Sequence, residues 1–385
     1  MLLRLLRGRE LHSRKEMEQL SGLSSPRFSA ALKFLESEEL VELPGEGHPK
    51  SSLGSSLPRI NARYGHVIGV DIGGSNLRIA LADMKGTVLG KWTASTRSTS
   101  SPEMVIGQVR RGVDQLLKQR AVPRKSVLAI AAGAPGVTDR DRGVVFATSY
   151  LKGWKDVPLG RLLEAAFRIP ATVENDVKAA AIGENWLGAA RGIRNFVFLA
   201  IGTGIAAGIF VNGQLVHGPD WVAGEVGYMI VPGTPEAPAK PGTPGALESM
   251  IGGEGIKQQW LCSRGRQRTK ASRDLTATGI FYHAVAGDRL AKSVLRRSAR
   301  ILAYTVYNIS TVLNCSLFVL GGGVGMSAPF VDATERILKL YTQPSRPKLI
   351  TSALGQDAQL IGAIRLALDS AESRIDLKLQ GNLIF

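Results

Sequence analysis

The 385-residue sequence holds only two cysteines, Cys262 and Cys315. Two thiols cannot form a disulfide framework, so the fold must rest on a hydrophobic core, and a cytoplasmic compartment is expected. No stretch approaches the ~18 consecutive apolar residues that mark a membrane span. The opening MLLRLLRGRELHSRKE breaks its apolar residues with Arg4, Arg7 and Arg9 and has no small-residue cleavage site, so no signal peptide and no membrane partner are expected. Aromatic residues make up 6%, whereas glycine reaches 44 residues, which draws attention to backbone turns. Acidic residues are scarce too: 32 against 48 basic ones leave a net charge of +16. Such an excess favours polyanionic partners such as DNA, RNA or phosphorylated ligands.

The excess is unevenly spread. Residues 1–63 carry 10 Lys/Arg against 8 Asp/Glu, a net of +2, while residues 250–310 carry 11 against 3, a net of +8. The second stretch reads either as a solvated basic surface or as an auxiliary surface for a polyanion. With 44% hydrophobic and 21% charged residues the composition is globular, and the length calls for two or three domains.

The first sixty residues read as short helices and a hairpin. Residues 2–11 are amphipathic. Ser13 and Glu16 have the spacing of a capping box for a second helix, whose apolar face is Met17 and Leu20. Ser21-Gly22-Leu23 breaks it, and a third helix begins near Ser24 or Ser25 with Pro26 in its first turn. Phe28, Leu32 and Leu35 recur at i, i+4 and i+7 and face inward. Ser25, Arg27, Ser29, Ala30 and Lys33 are left for the outer side, short or basic as a helix entering a DNA major groove requires. Leu40–Leu43 reads as a strand, residues 44–47 turn, and residues 57–60 return as the second strand of a wing. A small helical dimerisation module fits the same pattern. Residues 48–63 have linker composition.

Beyond the linker, three glycine turns each follow an apolar strand. The first is Asp71-Ile72-Gly73-Gly74-Ser75, the second Gly202-Thr203-Gly204, the third Gly321-Gly322-Gly323. A carboxylate at a strand end beside such a turn suits a phosphate–magnesium site, although alone it would be an ordinary hairpin. Glu174-Asn175-Asp176 ends another strand and opens a helix of small residues. Asp176 is there either as a helix-capping residue or as a base that takes a proton from a sugar hydroxyl.

Three such turns in this order resemble the nucleotide site of the actin, hexokinase and heat-shock-chaperone superfamily. The segments DIGGSNLR (71–78), ENDVKAAA (174–181), IGTGIAAGI (201–209) and LGGGV (320–324) are similar in order and spacing to the ROK family of repressors and sugar kinases. That resemblance implies ATP and Mg2+ at Asp71, Gly73, Gly74 and Ser75, at Gly202, Thr203 and Gly204, and at Gly321, Gly322 and Gly323. It implies Asp176 as catalytic base and Asn175, Glu225 and Glu248 as sugar contacts. The family's Glu-x-Gly-His motif reads Glu225-Val226-Gly227-Tyr228, so Tyr228 holds the place of a histidine that touches sugar and ligates zinc. The family's cysteine run is replaced by residues 241–248, of which only Glu248 survives. A structural zinc needs four ligands, so none is expected. Five prolines between Pro232 and Pro244 are expected to stiffen the loop in its place.

The expected fold class is α/β: a two-lobed actin/hexokinase-like (ribonuclease H-like) body preceded by an all-α winged helix-turn-helix domain. Residues 1–63 form the DNA-binding domain and linker, 64–180 the smaller lobe together with a C-terminal helix at about 356–385, and 181–355 the larger lobe. A helical stretch at 284–313 belongs to the larger lobe. The expected function is a sugar-responsive DNA-binding regulator, a repressor by expected sign. Its partners would be double-stranded operator DNA, a small sugar or sugar-phosphate effector, and a second copy, as a homodimer or a dimer of dimers. The alternative is an ATP-dependent kinase for a hexose or an N-acylated amino sugar.

Overall fold

A computed structural model describes residues 2–7, 14–42, 59–96, 101–148, 151, 153–236, 244–264, 275–341 and 346–382. At the N-terminus, α1 (Leu2–Arg7), α2 (Arg14–Ser21) and α3 (Ser25–Ser37) precede a short antiparallel pairing of β1 (Val41–Glu42) with β2 (Arg59–Ile60). Gly22 turns α2 into α3 at φ +65°, where a side chain is disfavoured. Phe28, Leu32 and Leu35 are buried, as their spacing predicts. Of the strand expected over 40–43, Val41–Glu42 pairs with the expected return at Arg59–Ile60, and Leu43 lies outside the described residues. Ser13, the 44–47 turn and residues 48–58 lie outside the described residues.

The body contains the same sheet topology twice. First, β3 (His66–Ile72), β4 (Asn76–Asp83) and β5 (Val88–Ser95) form an antiparallel meander. The chain then crosses by α4 (Pro102–Gln119) to β6 (Val127–Ala134), parallel to β3. A small sheet of β7 (Val137–Asp139), β8 (Val144–Ala147) and β9 (Lys155–Val157), followed by α5 (Leu159–Phe167), leads to β10 (Ala171–Asn175), parallel to β6. The order is β10-β6-β3-β4-β5. After α6 (Asp176–Leu187) the pattern recurs with β11 (Phe196–Ile201), β12 (Ile205–Val211) and β13 (Gln214–Leu215). Four helices follow: α7 (Glu248–Ile251), α8 (Gly253–Arg264), α9 (Ala277–Val285) and α10 (Arg289–Leu313). Then β14 (Leu317–Gly321), α11 (Gly322–Gly325), α12 (Ala328–Leu338) and β15 (Lys348–Thr351) complete an order β13-β12-β11-β14-β15. The last element is α13 (Ala358–Asn382).

Both faces of β3 are covered, which explains its nearly unbroken apolar run. Ile68, Val70 and Ile72 join Val105, Val109 and Val113 of α4 in one core, while Val67 joins Leu360, Ile364 and Leu368 of α13 in another. That second core continues into the N-terminal elements through Leu3, Met17 and Phe28.

Helix α6 packs on the second sheet through Ala180 and Ala181, against Phe196, Phe198 and Phe210. It crosses α13 at a seam of glycines. A Cβ on Gly362 would stand 1.7 Å from the Ala179 carbonyl oxygen, and one on Gly183 2.2 Å from that of Ala358. Only glycine lets the two backbones meet this closely.

The C-terminal helix expected at about 356–385 is α13, Ala358–Asn382, and residues 383–385 lie outside the described residues. The helical stretch expected at 284–313 takes in the end of α9 and all of α10. Gly287 at φ +107° separates them, and Asp288 restarts the chain by accepting a hydrogen bond from the Ala291 N–H at 2.8 Å.

Candidate functional site

The site is built where β10 runs into α6. Asn175 caps that helix, its Oδ1 accepting from the Lys178 N–H at 3.0 Å while its amide donates to the Gly136 carbonyl at 3.0 Å. One amide hydrogen is left for a ligand. Asp176 follows as the first helical residue, its Oδ1 accepting from the Val177 N–H at 2.8 Å. Burial, aided by the nearby charges of Asp71 and Glu225, pushes its carboxyl up to about 7.

Asp71 is brought to the same place from β3. Burial pushes it up to about 6 against the pull of Arg78, whose guanidinium is paired with it. Glu225 is raised by burial, with Lys178 opposing and Glu248 adding to the rise. Glu248 is raised by burial as well, and its Oε2 accepts from the Ile205 N–H at 2.9 Å. Four carboxylates from four separate segments therefore converge around the head of α6.

The glycine turns frame them. In the first, the Gly73 N–H donates to the Asn76 carbonyl at 2.8 Å, and the Thr96 hydroxyl donates to that of Gly73 at 2.6 Å. Asp71, Gly73, Ser75, Arg78 and Lys91 line a cavity of about 760 Å³. In the second, the Gly202 N–H donates to the Gly204 carbonyl at 3.0 Å, and Gly253 at the head of α8 donates to that of Gly202 at 2.8 Å. The third touches the second: Gly322 has φ +76°, and a Cβ on it would lie 2.4 Å from the Ile201 carbonyl oxygen. Ser75, Thr203, Gly322 and Gly323 are exposed and Gly73, Gly74, Gly202 and Gly204 half-buried, whereas Gly321 is buried in β14.

Tyr228 follows closely on Glu225, its N–H donating to the Glu225 carbonyl at 3.2 Å. It is 57% exposed, in a short 3-10 turn over Val226–Tyr228, and its hydroxyl makes no hydrogen bond among the described residues. From residue 232 to residue 248 the chain has neither Cys nor His, so the donors there do not fit a zinc ion. Residues 237–243 of the proline-rich loop lie outside the described residues.

Several contributors escape sequence reading. Glu174, fully buried, accepts from the Asn175 N–H at 2.9 Å and lies 2.8 Å from His217 Nε2, with Arg140 at 3.8 Å. Lys178 donates from Nζ to the Trp221 carbonyl at 2.8 Å; burial lowers its ammonium, against the charges of Glu174 and Glu225. Trp221 itself is held at φ +64°. These contacts pin the segment that carries Glu225 to β10 and α6. The Asp71–Arg78 pair did leave a signal: in a hairpin turning at 73–76, symmetric register sets residue 78 opposite residue 71.

At the N-terminus, Arg27 and Lys33 are exposed on α3. Ser25, also exposed, donates to Glu18 Oε1 at 3.2 Å, and the Ser29 hydroxyl donates to the Ser25 carbonyl at 2.8 Å.

Comparison with known proteins fits the doubled topology. The model of the ROK family matches residues 67–370. The chain belongs to the ROK family. It is 30% identical to a glucokinase of Halalkalibacterium halodurans over 308 residues, which cover 77% of this chain and 92% of that enzyme. It is 23% identical to a xylose repressor of Caldicellulosiruptor bescii over 378 residues, 96% of this chain and 94% of the repressor. In fold it resembles the crystal structure of a ROK family transcriptional regulator, a homologue of the E. coli MLC protein. The TM-score is 0.81, with 21% identity over 96% of this chain and 95% of that one. The mixed α/β body is thus the actin-like body of ROK sugar kinases and regulators. Among the described residues, no helix is long and apolar enough to cross a membrane.

Proposed function

We propose that the chain is a cytoplasmic DNA-binding transcriptional regulator, a repressor by expected sign, whose body answers to a small sugar or sugar phosphate. The observation that carries this reading is the reach of the likenesses. The similarity to a xylose repressor takes in 96% of the chain, whereas that to a glucokinase takes in 77%, and the family model begins only at Val67. The extra N-terminal segment holds α2, a glycine turn and α3. On this reading it is a winged helix-turn-helix, with α3 in the major groove and Ser25, Arg27, Ser29 and Lys33 facing operator DNA. Two half-sites call for a homodimer or a dimer of dimers. Asn175, Asp176, Glu225 and Glu248 take the sugar hydroxyls, Tyr228 alters the histidine-dependent part of the specificity, and no zinc takes part. A sugar changes operator affinity only if it prefers one of two arrangements of the lobes.

A second reading, an ATP-dependent kinase for a hexose or N-acylated amino sugar, is favoured by Asp176. A carboxyl brought to about 7 suits a base that takes the proton of an attacking hydroxyl. The open glycine turns fit the phosphates of ATP, whose γ-phosphoryl group Mg2+ would help neutralise. Against it, the Asp71 carboxylate that would meet the metal is already paired with Arg78.

The test is ADP release over a panel of hexoses and N-acylated amino sugars, run beside a DNA-binding assay with the same sugars. The regulator reading expects no turnover and a sugar-dependent change in DNA affinity. Turnover that Asp176→Asn abolishes, with no sugar effect on DNA binding, would overturn it in favour of the kinase.

A further inference from the structure

We propose that the exposed face of α10 is a second nucleic-acid surface, holding phosphates of the duplex that α3 reads. The inference rests on the DNA-binding reading above and adds a place on the body to it.

Over 25 residues α10 contains no Asp or Glu. Its first half exposes Arg289, Lys292, Arg296, Arg297 and Arg300. Arg289, Lys292, Arg296 and Arg300 recur at i, i+3, i+7 and i+11, one stripe about 16 Å long at the helical rise. The opposite face, with Ala291, Val294, Ala299 and Leu302, is buried in the core of the second sheet. Among the described residues, no ion pair engages Arg289, Lys292, Arg296 or Arg297. The adjacent acid, Asp288, is committed to the helix cap.

This placement opposes the helix's own interest. Cations in a first turn face the positive end of the macrodipole, and like charges four apart repel. Arg289 and Lys292 occupy the first turn, where α10 has no acidic residue, and Lys292, Arg296 and Arg300 follow at intervals of four. Positions that neither pack nor pair, and that cost the helix stability, fit a polyanionic partner. Charge distribution points to nucleic acid. Residues 1–63, which contain α3, have a net charge of only +2 out of +16, whereas residues 250–310 have +8. Phosphate neutralisation supplies essentially all non-specific DNA affinity, so on this chain it must come largely from the body.

The test uses the full chain and a mixed-sequence duplex of about 40 base pairs, with affinity followed between about 50 and 200 mM salt. Each phosphate contact contributes about 0.9 to the slope of log K against log salt, so R289Q/K292Q/R296Q should lower the slope by about 2–3. At about 150 mM salt the affinity should fall about 100-fold. R289K/R296K, which keeps the charges, should retain the wild-type slope. An unchanged slope in the triple glutamine variant would overturn the proposal. If Arg27→Ala with Lys33→Ala still lowered the slope, the regulator reading would stand without it, and a wild-type chain that bound no duplex would remove both. Loss of binding to phosphatidylglycerol vesicles with an unchanged DNA slope would assign the stripe to membranes instead.

Discussion

Gly362→Ala would test whether the α6–α13 seam is as tight as it looks. The added Cβ would stand 1.7 Å from the Ala179 carbonyl oxygen, 2.6 Å from its carbon and 3.1 Å from the Gly183 nitrogen. Carbon–oxygen contacts settle at about 3.3 Å, so the helices would have to part by about 1.5 Å. No flexible side chain can give way here, because all three atoms are backbone. Two terms oppose each other: alanine is the better helix former by about 1 kcal/mol, while overpacking costs about 3 kcal/mol when backbone must shift. The net is a loss of about 2 kcal/mol, or about 3 °C in Tm for a body of this size. Gly107→Ala in α4 is the control, since its Cβ would meet nothing within 4 Å. There only the propensity term operates, and Tm should rise. Differential scanning fluorimetry of both variants reads the contrast. A Gly362→Ala protein that melts at or above wild type would refute the claim that backbone contact sets the distance between these helices.

Other perturbations have equally definite signs. Ala121 ends α4 at φ +52° and is exposed, so Ala121→Gly should stabilise by about 0.5–1 kcal/mol in urea unfolding, and a loss would count against left-handed strain there. His217→Ala leaves the buried Glu174 carboxylate short of a partner and should cost about 3 kcal/mol. Adding Glu174→Gln should recover part of that, whereas strictly additive losses would mean the two residues are not coupled. Asp176 is raised from 3.8 to about 7, so the native state holds its proton while the unfolded state has lost it. Its contribution to stability is present at pH 4, declines as pH rises towards 7 and is then constant. Asp176→Asn should therefore raise Tm at pH 8 but have little effect near pH 4, and an equal shift at both would contradict the burial argument.

Local chemistry was easy to read from residue order; tertiary approach was not. The strand–glycine–strand units at Asp71 and Gly202, the buried stripe of α3 and the start of α6 at Asp176 all follow from periodicity, turns and caps, which act over a few residues. The break at Gly287 is hard to read because apolar residues on both sides mask one glycine. The role of Glu174 has no local signature, because its partner His217, 2.8 Å away in the fold, lies 43 residues away in the chain. No spacing rule links Asp71, Asp176, Glu225 and Glu248, which lie in segments far apart, so only the family resemblance singles them out in the sequence.

The glycine seam also has a mechanical consequence. Two rods whose backbones meet along a short seam can rock about it as about a fulcrum. Asp176 lies three residues from Ala179, an arm of about 4.5 Å, whereas the far end of α13 lies twenty residues beyond Gly362, an arm of about 30 Å. A tilt of about 5° at the crossing would move the start of α6 at Asp176 by about 0.4 Å and the tip of α13 by about 2.6 Å. The N-terminal elements share the core of α13 through Leu3, Met17 and Phe28, so they ride on the long arm. The geometry is that of a lever whose short side carries Asp176.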